Sequence, residues 1–206
     1  MEGRAPVKKI ILASDSPRRT MLLENAGIAH ERVSPTADEE EIFKRLSDAS
    51  PDMVVSELSR AKALSVKKAL PDRDIIVIGA DTVVSVDGII FGKPKDRADA
   101  KRMIDSLRGR EHDVYTGVTV LWDDESVTFF ERSEVFVFEM TDEETENYLD
   151  TKEPFDKAGA YGIQGYFSRF IRKINGSYDN IVGLPVARTY RALCKAGAFV
   201  EGDDRR

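Results

Sequence analysis

The residues best suited to chemistry begin at Ala13, in the run A-S-D-S-P-R-R that follows the apolar segment K-K-I-I-L. Ser16 is of a type that caps helix N-termini and Pro17 suits the first helical position. Arg18 and Arg19 then fall in the first turn of a helix ending at Gly27. Unpaired backbone N–H groups and two guanidinium forks would face one spot. Cations are disfavoured at a helix N-terminus by about 0.3 to 1 kcal/mol, so the pair either expects an anion or lies solvated on the helix surface. A second candidate is Asp81 in I-G-A-D-T-V-V, after the apolar run Ile75 to Gly79. It is placed at the carboxyl end of a buried strand, where α/β sheets put ligand sites. There it holds a divalent cation, takes a proton from water, or caps a turn. Gly79 and Ala80 leave room for the chain and a ligand to approach. Lys93 in G-K-P returns near Asp81 if the intervening segment is a hairpin, and Glu39 in the acidic stretch Asp38 to Glu41 offers a second carboxylate for a magnesium ion. The segment D-K-A-G-A-Y-G-I-Q-G, Asp156 to Gly165, combines three glycines, an aromatic and an amide, as a closely fitted loop against a flat ligand would. Gln164 both donates and accepts, as the edge of a nucleobase requires; the alternative is a structural loop anchored by Tyr161. His30 and His112 stand in no metal-ligand spacing and are read as structural.

These residues need elements to hold them. A strand is expected over Lys8 to Ala13, followed by the first helix and an acidic loop at 38 to 41. A long helix starts at Ser50-Pro51 with Val54, Leu58 and Ala61 on one face and Lys62 directly after them. Ile75 to Gly79 reads as a central strand covered on both sides. Thr82 to Val86 and Ile89 to Phe91 flank Asp87-Gly88 as a hairpin, and Val114 to Trp122 and Val127 to Phe138 flank Asp123-Asp124 as another. A helix is expected over Arg97 to Leu107, and Thr141 with Glu144 makes a capping-box signature for the next. Turns at Asn175-Gly176 and Ser177 to Asn180 follow a strand near Phe170 to Ile174, and a last helix runs from Pro185 to Gly197. The sum is an α/β chain with a mixed sheet.

Composition narrows the function classes. A chain of 206 residues buries roughly 70% of its unfolded surface, enough for one core or two closely packed lobes. No linker or repeat divides it, so a single domain over 1–206 is expected, ordered from about 8 to 197, with E-G-D-D-R-R frayed at the end. A net charge of −6 argues against an extended nucleic-acid face, while a small anionic ligand remains compatible. The single cysteine, Cys194, allows no internal disulfide and fits a buried or half-buried helix position, which suggests a cytoplasmic setting. M-E-G-R-A-P-V-K-K is too short and polar for a signal peptide, and no apolar run approaches the ~20 residues that span a bilayer. No membrane partner is expected. Walker, Rossmann and serine-hydrolase signatures are missing from the sequence.

A-S-D-S-P-R-R, G-A-D-T-V-V, F-G-K-P, D-K-A-G-A-Y-G-I-Q-G and N-I-V-G-L-P-V occur in an order that resembles the Maf family of nucleoside triphosphate pyrophosphatases, over about residues 8 to 195. The resemblance implies an elongated mixed sheet with flanking helices and two lobes around a cleft, similar to the inosine triphosphate pyrophosphatases. It implies hydrolysis of the bond between the α- and β-phosphates, with Mg²⁺ or Mn²⁺ as cofactor and a homodimer as a possible assembly. By motif, Asp81 matches the proton acceptor; Asp81 and Glu39 are the carboxylates expected to meet the metal. Ser14, Arg18, Arg19, Lys62 and Lys93 match phosphate-side positions, and Arg18, Thr82 and Gln164 match those that set base preference. A-D-T with I-Q-G is similar to the branch acting on dTTP and UTP. Asp15 departs from the pattern, and a carboxylate there repels phosphate unless it points away, pairs with an arginine or meets the metal. Because the family is also associated with septum inhibition, a noncatalytic nucleotide-sensing or septum-inhibition protein is the alternative, distinguished by binding without turnover.

Overall fold

A computed structural model describes residues 8–70 and 74–199 of the chain. The terminal stretches M-E-G-R-A-P-V and E-G-D-D-R-R, read above as polar ends, lie outside the described residues. In chain order the elements are β1 (Lys9–Ala13), α1 (Pro17–Asn25), β2 (Glu31–Val33), α2 (Glu39–Arg45), α3 (Pro51–Ala69), β3 (Ile75–Val86), β4 (Ile89–Phe91), α4 (Arg97–Leu107), β5 (Glu111–Trp122), β6 (Glu125–Val137), α5 (Asp142–Leu149), β7 (Ile171–Asn175), α6 (Tyr178–Val182) and α7 (Val186–Lys195). Between α5 and β7 the chain makes 3₁₀ turns at Glu153–Asp156, Ala158–Ala160 and Tyr166–Phe170. Among the described residues the strands form one sheet of order β2-β1-β3-β5-β6-β7, with β4 beside β3. β1 runs parallel to β2 and β3, and the remaining pairs are antiparallel, so the expected mixed α/β architecture holds.

One feature of this sheet makes a place for a ligand. β1 pairs residues 75–79 of β3 and β4 pairs residues 84–86, both along one edge, while β5 covers the other edge from Ile76 to Ser85. On the first edge a notch remains beside residues 80–83, with Asp81 and Thr82 in it. Asp81 was expected at the end of a strand, but β3 continues through it as a buried twelve-residue strand in which Asp81 opposes Gly117. The strand that does end there is the neighbour β1, at Ala13 opposite Gly79.

The helix α3 lies on the sheet at this point because two glycines permit it. A Cβ on Gly79 would come within 2.2 Å of the Ser59 carbonyl oxygen, and one on Gly117 within 2.3 Å of the Val55 carbonyl oxygen. Gly79 therefore admits a helix rather than a ligand. Ser59 Oγ bonds Thr119 Oγ1 at 2.9 Å across the same contact, and one turn later α3 presents Lys62 to Asp81. The predicted apolar face is kept at Val54 and Leu58 and continued by Ala63 and Val66, with Ala61 only half-buried.

Three other expectations change. The acidic stretch is not a loop but the start of α2, with Asp38 accepting from the Glu41 N–H; acids in its first turn and Lys44 and Arg45 in its last complement the helix dipole. Ser177 to Asn180 is the start of α6, closed by the Ser177 hydroxyl accepting from the Asn180 N–H. Cys194 is exposed rather than half-buried, since α7 turns Thr189, Ala192 and Leu193 inward. Both hairpins form as read: Asp87 and Gly88 at φ 51° and 80° make the first turn, and Asp123 at φ 45° opens the second. Thr141 and Glu144 close a full capping box on α5.

Candidate active site

The notch opens into a cleft of about 810 Å³. Ser14, Arg18, Arg19, Glu39, Lys62, Asp81, Thr82, Lys93 and Gln164 all line it, so every site residue read from the sequence reaches one cavity. Three parts of the fold, each but the first assembled from separate stretches of chain, supply them: the β1–α1 turn, the α2–α3–β3 contact, and the loops at 92–93 and 153–165.

At the floor, Lys62 donates to Asp81 Oδ1 at 2.6 Å and pairs with Glu39 Oε1 at 3.0 Å. Lys62 and Asp81 are each 7% exposed. Two carboxylates thus converge on one cation, and among the described residues Asp81 Oδ2 takes no hydrogen bond. Asp81 and Thr82, being consecutive on a strand, leave opposite faces of it. Asp81 meets α3, whereas Thr82 meets α1 and the α6–α7 turn.

Arg19 is the post between these faces. It is 8% exposed and donates from Nε to the Gly183 carbonyl at 2.8 Å, from one terminal nitrogen to Ser14 Oγ at 3.0 Å, and from the other to Thr82 Oγ1 at 3.2 Å. Burial lowers its pKa, opposed by the charge of Asp81, and an arginine nonetheless stays protonated. Thr116 donates to the Asn180 carbonyl at 2.9 Å, so the Thr82 proton goes to Thr116 Oγ1 at 2.9 Å and the chain of donors runs one way from Arg19. The Thr82 hydroxyl is therefore engaged with protein on both sides.

At the start of α1, Ser16 occupies the capping position but its side chain makes no cap; the Ser14 hydroxyl instead accepts from the Ser16 N–H at 3.2 Å. The Arg18 and Arg19 N–H groups have no partner within a helix at that position, and both residues line the cleft. Arg18 reaches across it to Asp156 Oδ2 at 3.1 Å. Burial works to raise the Asp156 pKa, but hydrogen bonds from Lys157 and Arg18 hold it below its usual range. Asp15 also lines the cleft, and its carboxylate accepts from the Ser34 hydroxyl.

On the far wall, the Gly159 N–H donates to the Gly92 carbonyl at 3.0 Å and so docks the glycine-rich segment beside Lys93. Lys93 and Gln164 are exposed, and neither hydrogen-bonds with the described residues. Tyr161 packs on Phe167 with ring centres 4.8 Å apart and bonds His112 Nε2 at 2.7 Å. Sequence reasoning missed Glu153 here. It lines the cleft and accepts the Tyr166 N–H at 2.7 Å, and its only signal in the sequence was a lone acid before a proline.

Residues 9–196 match the family described as Maf-like protein. The chain belongs to the Maf-like family. Over 187 residues it is 48% identical to a protein of Bacillus cereus (strain ATCC 10987 / NRS 248) named dTTP/UTP pyrophosphatase, covering 91% of this chain and 89% of that one. A protein of the same name from Agathobacter rectalis is 45% identical over 210 residues, covering 94% of this chain and all of the other. A solved structure of the Staphylococcus aureus Ham1 protein aligns with 63% of this Maf-like chain and 72% of its own at a TM-score of 0.40 and 16% identity. Among the described residues, no helix of this Maf-like protein is long and apolar enough to cross a membrane.

Proposed function

We propose that this Maf-like protein is a nucleotide pyrophosphatase that hydrolyses dTTP and UTP between the α- and β-phosphates, releasing the nucleoside monophosphate and pyrophosphate. The observation that carries the reading is the convergence of Lys62, Asp81, Glu39 and the open start of α1 in one cleft whose opposite wall is the glycine-rich segment bearing Gln164. Hydrolysis of a phosphoanhydride needs charge neutralisation and an oriented water more than covalent help. Arg18, Lys62, Lys93 and the N–H groups of α1 hold the triphosphate. Asp81, with Oδ1 fixed by Lys62, takes the proton of the water that attacks the α-phosphorus; a phosphorus–oxygen bond forms to water and the bond to the bridging oxygen breaks, with its electron pair leaving on pyrophosphate. Arg19, committed to Ser14, Thr82 and Gly183, holds the wall in place.

The donor set suits Mg²⁺ or Mn²⁺. Asp81 and Glu39 already share one cation, the Lys62 ammonium, and among the described residues no cluster of three or more metal-ligating side chains occurs. That matches the habit of magnesium of taking one or two carboxylates and completing its shell from phosphate and water. When bound, the ion neutralises phosphate charge and polarises the scissile group. Gln164 offers its amide to the base edge, with Arg18 alongside. A nucleotide substrate and a single cysteine support a cytoplasmic setting.

The test is incubation with a panel of nucleoside triphosphates and Mg²⁺ or Mn²⁺, assaying pyrophosphate against orthophosphate. Pyrophosphate from dTTP and UTP ahead of the other bases, abolished by a chelator, is expected. Orthophosphate alone overturns the cleavage position, and binding without turnover overturns the enzyme.

A further inference from the structure

Gln164 is exposed and makes no hydrogen bond with the described residues, so nothing about its own side chain fixes where its amide points. Its direction comes from the backbone of residues 162–166. Within that stretch the internal bond is long, the Gly165 N–H reaching the Gly162 carbonyl at 3.4 Å. The short bond comes from outside: Glu153 Oε2 accepts the Tyr166 N–H at 2.7 Å. A carboxylate accepting a backbone N–H makes a charge-assisted bond, about twice as strong as a neutral one. The same carboxylate packs under Gly165, where an added Cβ would lie 2.1 Å from Oε2.

Glu153 is itself held. Its N–H donates to Thr151 Oγ1 at 3.2 Å, its carbonyl accepts from Lys157 Nζ at 2.7 Å, and the Tyr148 hydroxyl lies 3.4 Å from Oε1 while bonding the Ala160 carbonyl at 3.0 Å. Tyr148 is buried and stacks with Tyr166, ring centres 6.1 Å apart. The carboxylate therefore links a fixed part of the fold to the segment that presents Gln164.

We infer that Glu153 is a positioning residue for base selection: its carboxylate sets the height and angle of the 162–166 backbone and thereby aims Gln164 at the base. The inference rests on the reading of Gln164 given above. It predicts a defect confined to base recognition. In Glu153→Ala the preference for dTTP and UTP over other nucleoside triphosphates falls about 10-fold, the change of free energy that one part-buried charged hydrogen bond supplies, and KM moves more than kcat. Inhibition by pyrophosphate, which is held by Arg18, Lys62, Lys93 and the start of α1 and not by Gln164, stays at its original strength. Glu153→Gln keeps an acceptor oxygen for the Tyr166 N–H and recovers most of the preference.

A second variant guards against misfolding of the first. Gly165 has φ −106°, outside the left-handed region that favours glycine. Gly165→Ala acts by displacing the carboxylate from Tyr166, so it reproduces the Glu153→Ala profile. Steady-state kinetics on the triphosphate panel separates the outcomes. If Gln164→Ala collapses the preference but Gly165→Ala and Glu153→Ala keep it, the role of Glu153 is overturned and the base reading stands. If Gln164→Ala changes nothing, the base reading falls and the inference falls with it. A uniform loss over all bases together with weaker pyrophosphate inhibition, or no rescue by Glu153→Gln, also overturns it.

Discussion

The two walls of the cleft are built on different physics. The wall made by α1, α3 and β3 is ionic and closed on itself: Lys62 lies between Asp81 and Glu39, and Arg19 spends three donors on Ser14, Thr82 and Gly183. The wall made by residues 153–167 is neutral where it is buried, with Tyr148, Tyr161 and Phe167 packed together, and its polar tip, Gln164, is free. The first wall tolerates little, because removing one member of a buried charged set leaves the others unpaired. The second is adjustable, because what it presents depends on backbone placement. Such a division lets one fold keep its chemistry while altering the base it accepts.

The sharpest way to break the comparison is Asp81→Asn. It removes the proton acceptor while keeping the shape, and turnover is expected to fall by about 10²- to 10⁴-fold. Measurement of kcat beside a thermal melt decides it; a folded variant with unchanged kcat takes the chemistry away from the ionic wall. Arg19→Lys comes next. An ammonium on a flexible stem cannot reach three acceptors in fork geometry. Since the site is buried, at least one acceptor is stranded and a loss of about 2 to 4 kcal/mol of stability is expected in denaturant unfolding. A variant as stable as the parent means Arg19 is not the post that joins α1, β3 and the α6–α7 turn, and its donors are then free for substrate.

How much of this was legible beforehand follows the range of the interaction involved. Local chemistry spoke plainly: the Asp87-Gly88 turn, the Asp123-Asp124 turn and the Thr141–Glu144 capping box each depend on residues within a few positions, and each formed. α2 was hidden because it buries no residue, so it carries no apolar period to detect. The continuity of β3 through G-A-D was hidden because a glycine in a strand reads as an ending, when its reason is a helix arriving from 59–63. The candidate residues were found by type, yet their partners were not. That Arg19 would be occupied by Gly183, 164 positions away, and that Glu153 would hold Tyr166 are tertiary facts with no local pattern.

The smallest effect tests the neutrality of the second wall, and pH is the probe. His112 is buried at 3% exposure, hydrogen-bonded through Nε2 to Tyr161 with the rings edge to face at 5.2 Å, and its Nδ1 has no partner. Burial depresses its pKa from 6.5 to about 3. For a base this means the folded chain binds fewer protons than the unfolded chain between those values, so the full stability is present above pH 6.5 and is lost as pH falls toward 3. The limiting slope is about 1.4 kcal/mol per pH unit for one proton, giving a cost of about 2 kcal/mol at pH 5. His112→Gln keeps a polar group for Tyr161 and cannot be charged. Between pH 7 and pH 5 the unfolding midpoint in urea should therefore fall further in the parent than in the variant, the excess being the histidine's own contribution since every carboxylate is common to both. Parallel pH dependences would mean that His112 meets its proton while folded, and that the wall behind Tyr161 is wetter and more polar than its packing implies.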